Sequence, residues 1–260
     1  MANTRPVKRL LNVYEVGEGK AEVIEKPSVL NHVLFVASNG QLGRRNVAIM
    51  MMLFGSGLRI NEVAQLKVSD VYFSDGTLKR NFVIPASYTK TNKARPAYII
   101  AKVQRSALKG WYTQRLNENA LLSDDGSYGG LRGDSPLFLS KKSGWRKFSF
   151  TQKKYNTKKG IKTTMVCASL ENTVRELIKS AGVIGGSSHS GRRTLATLMN
   201  RADYDLELIQ RILGHSDPEM SLEYIDPWMK RIEHAYKNLW KGLKYPNFND
   251  DIVLNNVLLE

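Results

Sequence analysis

The sequence predicts a mainly α-helical domain with a small antiparallel β element, an α+β fold. Segments with helical periodicity lie in the first and last thirds of the chain, and one β-leaning stretch, "NFVIPASYTKTNKARPAYIIA", lies between them. No internal repeat accompanies these patterns. A chain of 260 residues is long enough to bury a substantial core around such elements.

Helices are predicted first. Residues 1–26 are polar at the start and form a short N-terminal arm, and Pro27 followed by Ser28 is typical of a helix start. The run "RRNVAIMMMLFGSG" predicts a buried helix that ends at its glycines, and "RINEVAQL" predicts another helix.

The middle of the chain predicts a hairpin. "NFVIPA" and "AYII" are β-leaning and flank a polar turn, which places Lys90 at or near the tip. Helical periodicity returns at "SLENTVRELIKSAGV" and "GRRTLATLMNRA". Asp205 is a predicted N-cap for "DLELIQRIL", and Asp217 with Pro218 predicts one more helix start.

The net charge indicates a polyanionic partner. The chain has 39 Lys and Arg against 24 Asp and Glu, a formal charge of +15 and a pI near 9.8. Nucleic acid is the leading candidate. The longest apolar run, "VAIMMMLF", is too short to span a bilayer, and no amphipathic basic helix indicates a membrane surface.

Two blocks without acidic residues concentrate this charge. Residues 79–109 contain eight Lys and Arg, and residues 141–162 contain nine, with Trp145, Phe148, Phe150 and Tyr155 between them. Such density favours phosphate contacts, although a solvated lysine-rich face with a flexible loop is the alternative. The predicted DNA-binding residues are Lys93, Arg95, Lys141, Lys142, Arg146, Lys147, Lys153, Lys154, Lys158 and Lys159.

Cysteine and histidine usage predicts neither a disulfide nor a metal site. Cys167 is the single cysteine, and the four histidines lack a zinc-binding spacing. We therefore expect no metal, no cofactor and a reduced, cytoplasmic compartment. No secretory leader is recognised at the start of the chain, which agrees with that expectation.

Four motifs occur in order along the chain: "GSGLRINEVAQLKVSDV", "SYTKTNKARPAYI", "HSGRR", and "LGHS" followed nine residues after His215 by Tyr224. Together they resemble the signature of the tyrosine recombinases, also called the phage integrase family. The resemblance covers residues 27–240 and implies the catalytic-domain fold of that family. It implies a site made of Arg59, Lys90, His189, Arg192, His215 and Tyr224.

The resemblance also implies a chemistry. Tyr224 would attack a phosphodiester to form a 3′-phosphotyrosine, with Arg59, Arg192 and His215 stabilising the transition state. Lys90 would protonate the leaving 5′ oxygen, and His189 would assist loss of the phenol proton. The implied substrate is double-stranded DNA with specific recombination sites, exchanged through a Holliday junction by a bacterial or phage-encoded enzyme without a cofactor.

Several alternatives stay open. Lys93 competes with Lys90, Tyr204 and Tyr236 compete with Tyr224, and Glu62 either supports the site or lies on a solvated helix face. A type IB topoisomerase would use similar residues to relax DNA. A non-catalytic DNA-binding regulator would keep the fold and lose key residues.

Two departures from the usual family pattern stand out. The motif His-x-Leu-Arg-His has Gly191 in place of Leu and Arg193 in place of the second His. Only 58 residues precede Arg59, so we expect a short form without the usual N-terminal core-binding domain.

The tail, residues 241–260, has six large aliphatic residues between 252 and 259 that form an apolar stripe on a helix. The stripe either packs on its own domain or docks on a neighbouring subunit. The family resemblance favours exchange between subunits, with a monomer in free solution and a homo-tetramer on DNA.

Overall fold

Helices are the main regular structure of the described residues, and two short hairpins contain their strands. The structure is a computed structural model that describes residues 21–90, 92–141, 144–157, 160–214, 225–244 and 246. The helices within these ranges are α1 (Pro27–Ser38), α2 (Gly43–Gly55), α3 (Ile60–Gln65), α4 (Val68–Val71), α5 (Lys102–Asn117), α6 (Ser127–Gly130), α7 (Ala168–Ser180), α8 (Ser188–Arg201), α9 (Leu206–Leu213) and α10 (Ile225–Leu239). A short 3-10 helix spans Ala86–Tyr88.

The four strands form two separate antiparallel sheets. Strands β1 (Asn81–Ile84) and β2 (Arg95–Tyr98) pair with Asn81 opposite Tyr98. Strands β3 (Thr151–Thr157) and β4 (Gly160–Val166) pair with Thr151 opposite Val166. The predicted mainly α fold with a small antiparallel β component is confirmed.

Helix α2 lies at the centre of the core. Every residue from Arg45 to Gly55 is buried, as expected for a helix that is apolar all round. It packs against α1, α5 and α8. This central position holds the end of α2, and with it the chain that leads to Arg59, in a fixed place.

Most predicted elements appear where the sequence placed them. Helix α1 begins at Pro27, and the Asp205 side chain caps α9 by accepting a 2.8 Å bond from the Leu208 amide. The helix start predicted at Asp217 lies outside the described residues. Helix α5 and the β3–β4 hairpin were not predicted, because their basic residues were interpreted only as charge.

A buried polar network joins the first hairpin to the end of α2. The Gln104 side-chain amide donates to the Ser56 hydroxyl at 2.5 Å and to the Tyr98 carbonyl at 3.1 Å. The Ser56 hydroxyl donates to the same carbonyl at 2.7 Å. All of these groups are satisfied by one another, so the end of β2 and the segment before Arg59 are held together.

Along the described residues, none of the helices combines the length and apolar composition that crossing a membrane requires.

Gly191 allows α8 to approach α2 closely. A Cβ atom at this position would lie 2.6 Å from the Leu53 carbonyl carbon and 2.8 Å from the Phe54 nitrogen. A larger residue therefore requires one helix to move. The usual Leu of the family motif does not fit this packing.

We predict that Gly191→Ala destabilises the protein by about 1–3 kcal/mol, because the added methyl meets backbone atoms that cannot rotate away. Without that contact, the same change inside a helix would stabilise by about 0.5–1 kcal/mol, so the sign of the effect is decisive. Urea unfolding measures it, and Asn200→Ala, at an exposed position of α8, is the control. A Gly191→Ala protein more stable than wild type would contradict the close approach.

Candidate active site

Arg59 stands at the N-terminus of α3, where Glu62 holds both its backbone and its side chain. The Arg59 amide donates to Glu62 Oε2 at 2.7 Å, and Arg59 Nη1 lies 3.1 Å from Glu62 Oε1. The Arg59 side chain keeps 28% of its surface exposed. The contact with Glu62 thus orients the Arg59 guanidinium, and the exposed part of the side chain remains accessible to a ligand in solvent.

Glu62 is buried and also binds Arg95. Arg95 Nη2 lies 2.5 Å from Glu62 Oε2, and Arg95 Nε lies 3.3 Å from Glu62 Oε1. The Glu62 side chain is only 1% exposed. The solvated helix face considered for Glu62 is therefore wrong, and the carboxylate supports the site from inside.

Arg95 was predicted to contact DNA from the surface, and the structure corrects this. The residue points inward from β2 and is 6% exposed. Alternation along the strand accounts for this orientation, since Ala97 also points inward while Pro96 is exposed. The Arg95 guanidinium serves the internal ion pair with Glu62.

Arg192 lies beside this cluster on α8. Its Nη1 donates to the Gly57 carbonyl at 2.7 Å and its Nη2 to the Leu213 carbonyl at 2.5 Å. Burial, together with the positive charges of Arg59 and Arg95, lowers the pKa of Arg192 to about 9, against a smaller opposing effect of Glu62. The bonds to neutral carbonyls orient the guanidinium and leave its charge uncompensated.

The cluster carries more positive than negative charge. Three guanidiniums, from Arg59, Arg95 and Arg192, share one carboxylate, that of Glu62. Burial by itself raises the pKa of Glu62, but the charge of Arg95 and the hydrogen bonds from Arg95 and Arg59 hold it below its usual value. A cluster with this excess is suited to bind an anion.

Two glycines allow close packing around the cluster, Gly214 against Arg95 and Gly57 against Leu213. Gly214 ends α9 with a φ of +63°, and a Cβ there would lie 2.2 Å from Arg95 Cδ. Gly57 has a φ of +60°, and a Cβ there would lie 2.7 Å from Leu213 Cδ2. Both positions favour glycine for two reasons: the backbone φ is positive, and no space is left for a Cβ atom.

His189 is the second residue of α8, three residues before Arg192, and is exposed. The Ser188 hydroxyl donates to the Glu171 carboxylate and lies 3.4 Å from His189 Nδ1. The Ser187 hydroxyl accepts from the His189 amide at 3.3 Å. The imidazole is therefore presented to solvent on the same helix as Arg192, with a hydroxyl at one of its nitrogens.

Lys90 is exposed in the turn between β1 and β2, close to the predicted hairpin tip. The turn is closed by Thr89, whose hydroxyl accepts from the Lys93 amide at 3.0 Å and donates to the Lys93 carbonyl at 2.9 Å. The 3-10 helix before Lys90 contacts α3. Lys93 is exposed on the same turn. Exposure therefore does not show which of the two lysines is the catalytic one.

The second basic block divides into an anchor and a projecting hairpin. Phe148 is buried, and Trp145 packs edge-on against Trp111 with ring centroids 5.6 Å apart. Phe148 thus belongs to the core and Trp145 packs against it, so this part of the block anchors the segment to the domain. Lys141 pairs with Glu118 at 2.6 Å and lies over the Trp145 ring.

The remaining predicted DNA-binding residues that the structure describes are exposed, namely Arg146, Lys147, Lys153 and Lys154. Lys142, Lys158, Lys159, His215 and Tyr224 lie outside the described residues. Of the two rival tyrosines, Tyr236 is fully buried in α10, and burial raises the pKa of its phenol, which makes it unsuited to attack a phosphate.

Within the described ranges, His, Cys, Asp and Glu form no cluster of three that could hold a metal ion.

We predict that Glu62→Gln lowers the free energy of unfolding at pH 7 by about 3 kcal/mol, because it leaves buried arginines without a counter-charge. The pKa of Glu62 is lower in the folded state than its ordinary value of 4.5. Its contribution is therefore fully present above that pH and is lost as the pH falls through the folded-state pKa. Urea unfolding at several pH values should show this acid-dependent component in wild type.

Glu118→Gln is the matched control, since its carboxylate pairs with Lys141 at a partly exposed position and should contribute about 0–1 kcal/mol. Equal effects of the two substitutions would contradict the role of Glu62.

Curated proteins are similar to this chain in sequence, and solved structures are similar to it in fold. The tyrosine recombinase XerC of Bifidobacterium longum (strain DJO10A) is 26% identical over 193 residues, covering 74% of this chain and 46% of the relative. The tyrosine recombinase XerA of Pyrococcus furiosus is 24% identical over 201 residues, covering 76% of this chain and 57% of the relative. The chain thus spans about half the length of the curated relatives it matches.

Among solved structures, the crystal structure of XerA recombinase has a TM-score of 0.51 at 21% identity, covering 84% of this chain and 66% of that chain. It shows the same fold. The model of the phage integrase family matches residues 26–231. That match includes most of the chain and the segments that carry Arg59, Lys90 and Arg192, so the protein belongs to the phage integrase family.

Proposed function

We propose that the protein is a site-specific DNA recombinase that cuts and rejoins DNA through a covalent tyrosine intermediate. The observation that carries this proposal is the cluster of three guanidiniums around the buried carboxylate of Glu62. Arg59 and Arg192 are fixed from behind by Glu62 and by two backbone carbonyls. The cluster has more positive than negative charge, and a phosphodiester bound to it would compensate part of that excess.

The arginines would act by stabilising the transition state. Attack on phosphorus adds negative charge to the non-bridging oxygens, and a planar guanidinium donates two parallel hydrogen bonds to such oxygens. Both side chains are oriented before any substrate binds, so little reorganisation is needed during the reaction. Glu62 would keep two of the cations together without contacting the DNA.

The remaining groups would move protons. The Tyr224 oxygen would bond to phosphorus while the bond from phosphorus to the 5′ oxygen breaks, and Lys90 would give that oxygen its proton. His189 would accept the proton of the phenol, and His215 would donate a hydrogen bond to the phosphate. The 3′-phosphotyrosine conserves the bond energy, so a 5′ hydroxyl from a second site can reverse the reaction.

We predict that the protein forms a covalent adduct on a nicked duplex that contains its recombination site, in the presence of EDTA and without ATP. Sequencing the DNA that flanks the gene supplies the site. Tyr224→Phe should abolish the adduct, whereas Tyr204→Phe, the matched control, should retain it. Arg192→Ala should slow adduct formation about 10²–10³-fold and leave DNA binding largely unchanged.

If the Tyr224→Phe protein still formed the adduct, the assignment of Tyr224 as the nucleophile would be wrong. If the wild-type protein relaxed supercoiled DNA without joining strands from different sites, this result would favour the alternative function, that of a type IB topoisomerase.

We further propose that the exposed lysines of both basic blocks contact DNA phosphates, with Lys93, Lys153 and Lys154 among them. On this proposal the enzyme works in the cytoplasm as a monomer in free solution and as a tetramer on paired sites. The apolar stripe of the tail would join neighbouring subunits. The alternative is docking on its own domain, where Ile100, Tyr236 and Trp240 line a groove that the first residues of the tail reach at Leu243.

We predict that deletion of residues 247–260 leaves binding to a single site nearly intact while synapsis of two sites and strand exchange fail. The deletion removes the surface that would couple subunits and leaves the arginine cluster in place. Gel-shift titration and a two-site recombination assay measure the two properties. A truncated protein that recombines at the wild-type rate would show that the tail is dispensable.

A further inference from the structure

The β3–β4 hairpin, called the ribbon below, has a face that no part of the described chain covers. Antiparallel pairing puts Gln152 opposite Met165, Lys154 opposite Thr163 and Asn156 opposite Ile161. Cross-strand partners share one face of a sheet. All six residues are exposed, and together they form the Gln152 face.

The composition of this face does not match a surface that only contacts phosphates. Such a surface is rich in Lys and Arg, whereas the Gln152 face has one lysine, two amides, one hydroxyl and two large apolar residues, and the apolar residues have no role in binding phosphate. Ile161 is 71% exposed and Met165 is 51% exposed. Apolar side chains held in water on a two-stranded sheet, which is itself marginally stable in isolation, indicate that a partner covers them.

The charge of the ribbon identifies the class of partner. Residues 151–166 contain five lysines and no acidic residue, and Lys153 is exposed on the face opposite the Gln152 face. A partner that accepts hydrogen bonds, offers apolar groups and is polyanionic matches duplex DNA approached through its major groove. That groove is about 12 Å wide and admits a two-stranded β-ribbon.

From these observations we propose that the ribbon enters the major groove of the recombination site and selects its sequence through the Gln152 face. The amides of Gln152 and Asn156 bind adenine edges, and Ile161 and Met165 contact thymine methyl groups. Gln152 and Asn156 are four residues apart on one strand, about 13 Å, so the face spans about four base pairs. This inference rests on the proposed recombinase function.

The ribbon is fixed next to the site proposed for catalysis. The Asn61 side chain donates to the Met165 carbonyl at 2.8 Å and accepts from the Cys167 amide at 3.0 Å. Asn61 lies in α3, between Arg59 and Glu62. The base of the ribbon is thereby held to the same short helix that orients Arg59, so bases selected by the ribbon would lie at a defined distance from the phosphate at the arginines.

The test is selection of duplexes from a library with a randomised segment by the full-length protein, followed by affinity measurements on the selected duplex and a scrambled one. The double variant Gln152→Ala/Asn156→Ala should lower the preference for the selected duplex at least tenfold and leave affinity for the scrambled duplex within about twofold. Thr151→Ala/Thr164→Ala, on the opposite face, should keep the preference. Lys153→Gln should weaken binding to both duplexes and reduce by about one the slope of the logarithm of affinity against the logarithm of salt concentration.

Replacing thymine by uracil in the selected duplex tests the apolar contact separately. Removal of the methyl groups should weaken binding of wild type several-fold, and the same replacement should have little further effect on Ile161→Ala. Both results together would establish direct contact between the ribbon and the bases.

The proposal is overturned if the double variant, folded as wild type by thermal unfolding, keeps the wild-type preference. It is equally overturned if the variant loses affinity for both duplexes alike, or if it changes self-association in free solution without changing DNA preference. Adduct formation at Tyr224 is scored on the same duplexes. An intact adduct with unchanged preference counts against the ribbon alone, whereas loss of the wild-type adduct counts against the recombinase function.

Discussion

The buried carboxylate of Glu62 is the interaction on which the site depends. It neutralises Arg95, which arrives from β2, and orients Arg59 at the start of its own helix. Without it, three guanidiniums would face one another in an environment that already lowers the pKa of Arg192. The fold thus tolerates a cluster of cations by supplying one negative charge, and the remaining excess becomes a binding site for an anion.

Helix α3 connects three parts of the molecule within four residues. Arg59 faces outward, Asn61 binds the base of the ribbon, and Glu62 binds β2. A six-residue helix has little stability of its own, so these contacts must hold it in place. A displacement of either hairpin would move Arg59, and the geometry of the site therefore depends on both sheets.

The family resemblance implied Arg59 and Arg192, which the structure brings near one another, and the hairpin pattern predicted the exposed turn that carries Lys90. The sequence could not predict the pairing of Glu62 with Arg95, since the two residues are 33 positions apart and Arg95 lies in a stretch where every basic residue looked alike. One signal in the sequence was the alternation of strand residues around "RPAY", which indicates that Arg95 and Ala97 share the inward face. Gly214, whose missing side chain accommodates Arg95, was another.

Charge density located the second basic block and gave no information about its shape. The part from Trp145 to Phe150 supplies aromatic side chains to the core, whereas the part from Thr151 onward forms a ribbon whose described side chains are exposed or only partly buried. The segment "TQKKYNTKKGIKTTMV" has the β-branched residues of a strand but lacks the apolar alternation by which strands are normally recognised. A strand pair with this pattern offers little apolar surface to its own core, so its anchor at Asn61 holds its base in place and the proposed contact with DNA would stabilise the rest.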